Sequence, residues 1–294
     1  MLEVGTHSPW ISRLVAARGH EVLVANAHQL RLIYASPRKR DRVDAETLAR
    51  LGRLDPALLQ PIRHRGAQAQ ADLTQLRARD CLVRARTQLI NPVRGAVKSA
   101  AERLPASSAP AFARAAAGHR PEAVRPALAP LLTLLAQLSQ QIAAMERTLE
   151  QLATARSPET RQLRQPAGVG PLPALCYVLT LEDPRRCTRS RAVGAYLGLC
   201  PRQRVSGAAH PQRRFTKCGD PMLRRLLMNG AHYILGPFGP DCDLRRWGLA
   251  LAARGGTNAK KRAVVAVARK LATLLHRLWV SGARYEPLRQ SVAA

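Results

Sequence analysis

Leu131-Leu-Thr-Leu-Leu-Ala-Gln-Leu-Ser-Gln-Gln-Ile-Ala-Ala-Met-Glu-Arg-Thr-Leu-Glu-Gln-Leu152 is the stretch on which the reading of the fold turns. Its residues Leu131, Leu134, Leu135, Leu138, Ile142, Met145 and Leu149 recur at the roughly 3.5 to 3.6 spacing of a helical stripe over about three heptads. A stripe of this kind has to be covered. A second helix of the same chain would make a helical hairpin arm, another copy would make a dimeric coiled coil, and an ordinary helix packed on its own domain satisfies the same pattern. Each solution makes the middle of the chain helical.

Outward from that helix the pattern stays helical on both sides. Residues 66–99 carry Leu73, Leu76, Leu82, Val83, Leu89 and Val93 among arginines at helical spacing, and Pro92 is expected to bend or split the helix. The five prolines of 105–130, with many Ala and Ser, read as a linker and domain boundary. Beyond the stripe, 166–285 alternates Gly and Pro with short helical patterns and ends in a longer Ala-Val helix over 261–280. The N-terminal stretch is different. A helical pattern over 8–18 closes at Gly19, and the run Glu21-Val-Leu-Val-Ala25 follows as a strand, so the chain opens as α/β. Asp41-Arg-Val-Asp-Ala-Glu-Thr-Leu-Ala-Arg50 then starts a helix with an acidic first turn, which Asp55-Pro56 ends.

A chain of 294 residues accommodates about two domains. With 46% hydrophobic and 22% charged residues it is expected to fold throughout most of its length. A net charge of +28 implies a polyanionic partner, nucleic acid foremost. Only six of the 47 basic residues are Lys. Genomic base composition can inflate Arg, and the guanidinium fork also suits phosphate better than an ammonium does. No run of about 18 apolar residues marks a membrane span and the N-terminus is unlike a signal peptide, so a cytoplasmic protein that enters no membrane is expected. The six cysteines show neither Cys-x-x-Cys pairs nor spaced His partners, which argues against zinc and structural disulfides.

Asp41 and Asp44 stand three apart and share a helix face, where they can hold a divalent cation, Mg²⁺ for an all-oxygen site, with Glu3 as a third ligand. Acidic residues at a helix start also serve simply as partners of the helix dipole. Gly168-Val-Gly170-Pro171 feeds a helix and is similar to a helix-hairpin-helix clamp, in which backbone N–H groups cradle phosphate; a plain capping turn has the same sequence. Ser206 lies in a Gly-flanked loop among Arg202, Arg204, Arg213, Arg214 and Lys217. Guanidinium groups around a hydroxyl would stabilise the charge that develops on a phosphodiester under attack, and they equally describe a turn that only contacts phosphate. Asp220 and Pro221 form a helix start that sets Arg224 and Arg225 toward solvent or DNA. The turn Gly255-Gly-Thr-Asn-Ala-Lys-Lys-Arg262 offers a further basic helix start.

Taken in order, several motifs resemble those of the RNA-guided transposases of bacterial insertion sequences, which pair a RuvC-like DEDD domain with a C-terminal "transposase 20" domain. They are Glu3-Val-Gly, Asp41-Arg-Val-Asp44-Ala, Leu-Val-Arg-Ala-Arg-Thr-Gln-Leu-Ile-Asn91, Gly168-Val-Gly-Pro171, Tyr196-Leu-Gly-Leu-x-Pro201 with Ser206-Gly207, and Thr216-Lys-x-Gly-Asp-x-x-Leu-Arg-Arg225. The resemblance implies a partial RuvC/RNase H-like α/β domain over 1–65 and an Arg-rich helical segment over 66–104 that completes or follows it. It further implies a linker over 105–130, a coiled-coil helix over 131–157, a mainly α transposase-20 domain over 158–285 and a tail over 286–294.

In such proteins four acids bind Mg²⁺ and a serine attacks DNA to form a phosphoserine link. Carried over, Glu3, Asp41 and Asp44 would be the second, third and fourth acids and Ser206 the nucleophile. DNA, a structured noncoding guide RNA that bridges donor and target, and homo-oligomers, dimers or tetramers, are the implied partners. The family's first Asp lies on a strand well upstream of the Glu, and Glu3 is preceded by only two residues. The expectation is therefore a truncated chain with impaired cleavage, and as an alternative a remnant that binds DNA or RNA without chemistry.

Overall fold

The helix and β-branched run at the N-terminus fold in the expected order, with the strand shorter than its sequence pattern. In the computed structural model, which describes residues 1–26, 30, 40–202 and 214–289, β1 (Leu2–Glu3) and β2 (Val24–Ala25) lie parallel, Leu2 opposite Val24 and Glu3 opposite Ala25. Between them α1 (Ser8–Ala17) makes the crossover that a parallel pair requires. Gly19, at φ +84°, turns the chain back toward β2 in a conformation that a side chain would strain. Val24 also forms an antiparallel bridge with Ile62, which caps the strand pair on its other side. After α2 (Asp41–Leu54), a single 3₁₀ turn over Pro56–Leu59 begins with the Asp55 carboxylate accepting from the Ala57 N–H at 2.8 Å. Ala25, Leu30, Leu48 and Leu59 form the small core of this unit, Met1–Ala67.

The second unit, Gln68–Ala294, opens with α3 (Ala67–Ser99). Pro92 neither ends nor divides it. Ile90, Val93 and Val97 are buried around the proline, and their packing outweighs the one backbone hydrogen bond that Pro removes. The stretch 105–130 is not a linker. It contains α4 (Phe112–Ala117) and the first turns of α5 (Arg125–Arg156), and Phe112 and Ala116 are each 1% exposed. Alanine, one aromatic and Leu128 were enough to pack it against Ile90, Val93, Val97 and Leu132.

α3 and α5 run antiparallel. Arg156 pairs with Asp72 at 3.1 Å, Arg79 with Glu146, and the opposite ends meet through Val93, Val97, Leu128 and Leu132. The stripe of α5 is thus covered within the chain, and of the expected stripe Leu135, Ile142 and Leu149 are buried and Leu131, Leu138 and Met145 half-buried. Leu128, Leu132, Leu135, Ile142, Leu149, Leu152 and Ala153 are buried, whereas Leu134 is 42% exposed. By length and composition alone Glu122–Arg156 would pass as a membrane span, contrary to the sequence expectation. Uncharged Gln, Ser and Thr interrupt its apolar run without lowering its mean hydropathy enough to fail that test.

The rest of the unit is built from α6 (Thr160–Leu163), α7 (Pro171–Leu181), α8 (Ala192–Tyr196), α9 (Pro221–Leu235), α10 (Asp243–Ala253) and α11 (Ala259–Ser281). Residues 174–181 of α7 are all buried, which makes it the axis of the core. Its Tyr177 donates to the Ala272 carbonyl of α11 at 2.7 Å, and burial pushes the phenol well above its ordinary pKa. His276, 2% exposed, bridges Ser190 at 3.0 Å and the Pro184 carbonyl at 2.8 Å, fastening α11 to the turn before α8. Among the described residues the fold is therefore mostly helical with one two-stranded parallel sheet.

Candidate functional site

The two motifs on either side of Ser206 come together as a neck. Arg202 N–H donates to the Arg214 carbonyl at 3.0 Å, Thr216 N–H to Cys200 at 2.9 Å, and Lys217 N–H to Gly198 at 3.1 Å, with Pro201 and Phe215 bridged antiparallel. Two glycines make this crossing possible. A Cβ on Gly198 (φ +66°) would sit 2.3 Å from the Cys218 backbone, and one on Gly219 (φ +72°) would sit 2.1 Å from the Tyr196 carbonyl oxygen. Lys217 itself adopts φ +60°, a left-handed conformation that costs about 1–3 kcal/mol for a residue other than Gly and is held by the same ladder. Ser206, Arg204 and Arg213 lie outside the described residues.

Of the cationic residues expected at this site, Arg202, Arg214 and Lys217 are exposed at the neck, with Lys217 Nζ 5.8 Å from the Phe215 ring centroid. Arg224 is a correction to the sequence reading. Its Nη1 donates to the carbonyls of Leu197 at 3.0 Å and Cys218 at 2.6 Å, so it ties the two crossing strands together instead of facing solvent. Arg225 is exposed, as expected, but already paired with Asp80 of α3. Asp220 caps α9, accepting from Leu223 N–H at 2.9 Å, and holds Arg77 at 2.9 Å. Nothing local announces those two ion pairs, whose partners stand 145 and 143 positions apart.

Gly168-Val-Gly170-Pro171 joins α6 to α7, a helix-turn-helix order. Gly168, at φ +82°, approaches Gly230 of α9 so closely that a Cβ would stand 2.7 Å from the Gly230 carbonyl oxygen. A Cβ on Gly230 would in turn be 2.8 Å from the Gly168 oxygen. The first glycine is thus required by helix packing. Gly170, with open space where its Cβ would be, is the N-cap of α7.

Glu3 is exposed on β1; Asp41 and Asp44 occupy the first turn of α2, the former exposed and the latter half-buried. Among the described residues no group of three or more His, Cys, Asp or Glu side chains is placed to hold a metal ion, so Glu3 does not complete a cluster with the other two.

A family model described as "Transposase IS116/IS110/IS902 family" matches residues 160–240, and a second, the IS110-type DEDD transposase model, matches residues 1–101. The transposase for insertion sequence element IS1111A of Coxiella burnetii is 31% identical over 264 residues, covering 87% of this chain and 70% of that protein. The y4pF/y4sB chain of Sinorhizobium fredii is 30% identical over 290 residues, 96% of this chain and 72% of its own length. The transposase for element IS1328 of Yersinia enterocolitica is 30% identical over 235 residues, 77% and 67% of the two chains.

Proposed function

The chain belongs to the IS116/IS110/IS902 transposase family of insertion sequences, and from that premise we propose that it cuts and rejoins DNA through the Ser206 hydroxyl. The observation that carries this reading is the neck. It closes, with backbone hydrogen bonds, the two segments between which Ser206 lies in the sequence, and it carries the exposed cations Arg202, Arg214 and Lys217. In the step proposed, the Oγ–P bond forms as the P–O bond to the departing sugar oxygen breaks. The serine proton is lost to solvent or a nearby base, and the departing oxygen takes one up. Religation runs the same exchange backward with a hydroxyl from the other strand, so phosphodiester energy is conserved in the phosphoserine link. Fixed guanidinium groups oppose the charge gathering on the phosphoryl oxygens.

Membership in a DEDD family implies use of a divalent metal, and a Mg²⁺ ion would neutralise phosphate charge. Asp41 and Asp44 supply two carboxylates one turn apart, but the described residues do not bring Glu3 or another donor to them. Among the described residues this donor set does not make a complete site. The reading extends to a cytoplasmic homo-oligomer that works with a structured guide RNA; the net charge of +28 supports a polyanionic partner of that kind.

The test is covalent capture. Protein incubated with labelled DNA carrying the element's ends, then denatured and separated by gel, should retain label; Ser206→Ala should abolish the adduct while Ser99→Ala keeps it. An adduct that survives Ser206→Ala overturns the nucleophile. Binding with no adduct in any form favours a chain that grips nucleic acid without chemistry.

A further inference from the structure

A cleft of about 980 Å³ lies in the second unit between α10, α11 and the segment that follows α11. Leu244, Trp247, Leu274, Leu278 and Tyr285, all buried or half-buried, make an apolar floor. Above them Arg191, Lys270, Arg277, Arg284 and Arg289 are exposed and Arg269 is half-buried, against two carboxylates, Asp243 and Glu286. Glu286 is 4.0 Å from Arg289. For Arg191, Arg269, Arg277 and Arg284 the described residues supply no ion pair. Lys270 Nζ stands 3.7 Å from the Trp247 ring centroid, and burial, then the charge of Arg269, hold its pKa below the usual lysine range. Cations crowded in this way repel one another until an anion from outside joins them.

The two surfaces ask for an amphipathic polyanion. Duplex DNA would meet the rim with phosphates and leave the apolar floor unused, because its bases are stacked inward. An unpaired strand turns base faces toward aromatic and aliphatic side chains and keeps its phosphates on the cations. We propose that this cleft holds a segment of single-stranded DNA, with phosphates on Arg277 and Arg284 and bases against the floor formed with Trp247. The assignment rests on the reading of the chain as a DNA-cutting transposase and adds a strand path to it. Cys200, which lines the cleft, is also part of the neck, accepting from Thr216 N–H, six residues before Ser206 in the sequence.

The experiment measures anisotropy of labelled oligothymidylate of about 16 nucleotides, the upper end of a single-strand site, on the full chain at several salt concentrations. Arg277→Glu/Arg284→Glu should weaken binding about tenfold or more and flatten the salt slope by about 1.4, since each phosphate contact on a single strand contributes roughly 0.7. Arg277→Gln/Arg284→Gln, the milder pair, should move both in the same direction, with circular dichroism showing an intact fold. Reversal of two exposed arginines away from the cleft, Arg103→Glu/Arg147→Glu, should weaken binding far less. Equal losses for the two reversed pairs would mean bulk charge and overturn the proposal. So would unlabelled duplex competing as well as unlabelled oligothymidylate, or oligouridylate outcompeting both. The cleft and the nucleophile fail separately. A chain that binds here but forms no adduct loses the nucleophile and keeps the cleft, and wild-type affinity in the cleft variants loses the cleft and keeps the nucleophile.

Discussion

The neck whose two sides flank Ser206 in the sequence and the acidic turn at Asp41 and Asp44 both combine chemically suggestive residues with a helix start, yet they are built in opposite ways. At the neck, backbone crosses backbone: Gly198, Gly219, Arg224 and Asp220 each touch a segment distant in sequence or a crossing strand, and most of their polar capacity is used there. In the acidic turn, Asp41 is exposed and Asp44 half-buried, and neither caps α2 through a side-chain hydrogen bond. A site held by close backbone contacts is rigid and intolerant of added atoms. A pair of carboxylates on the first turn of a helix is tolerant, and its geometry is completed by whatever ligand or partner arrives.

That contrast breaks most readily at Gly219. Gly219→Ala sets a Cβ 2.1 Å from the Tyr196 oxygen at φ +72°, and should destabilise the second unit by about 3 kcal/mol or more in urea denaturation followed by circular dichroism. A wild-type midpoint would show that the neck yields. Asp220→Ala removes both the α9 cap and the Arg77 pair and should cost about 2 kcal/mol, while Asp220→Asn, which can still cap, should recover roughly half. An Asn variant as unstable as the Ala variant would place the effect in the ion pair. At the acidic turn, Asp44→Asn should cost only about 0.5 kcal/mol, the size of a lost helix-dipole interaction at an exposed end, and a thermal melt that moves much further would mean the carboxylate is more tightly held than its surroundings indicate.

Legibility follows the same divide. The order α1, turn at Gly19, strand, and the starts of α2 and α9 were readable because a cap, a proline or an apolar period acts within a few residues. The misread linker shows the limit of composition. Five prolines in 105–130 looked disruptive, but Pro126 and Pro130 fall where α5 begins or is held by packing, and Phe112 supplies the anchor. At the candidate site, the cationic flank and Asp220 were legible by residue type. The diversion of Arg224 into the neck and the pairing of Arg225 with Asp80 were not, because an arginine's sequence neighbours do not say which carbonyl or carboxylate the fold will bring to it.

The amino-acid sequence by itself determined that this chain is helical after an α/β opening, that it carries a large excess of guanidinium charge, and that its motif order is that of an insertion-sequence transposase. These properties are local or additive, so a linear reading recovers them. Only the tertiary structure decided that Gly168 and Gly230 must both lack a side chain, which face of α5 is buried, and which cations are spent on the protein and which line a cleft. Each of those depends on atoms far apart in the chain arriving within a few ångströms of one another, and steric exclusion and charge pairing act at that range alone.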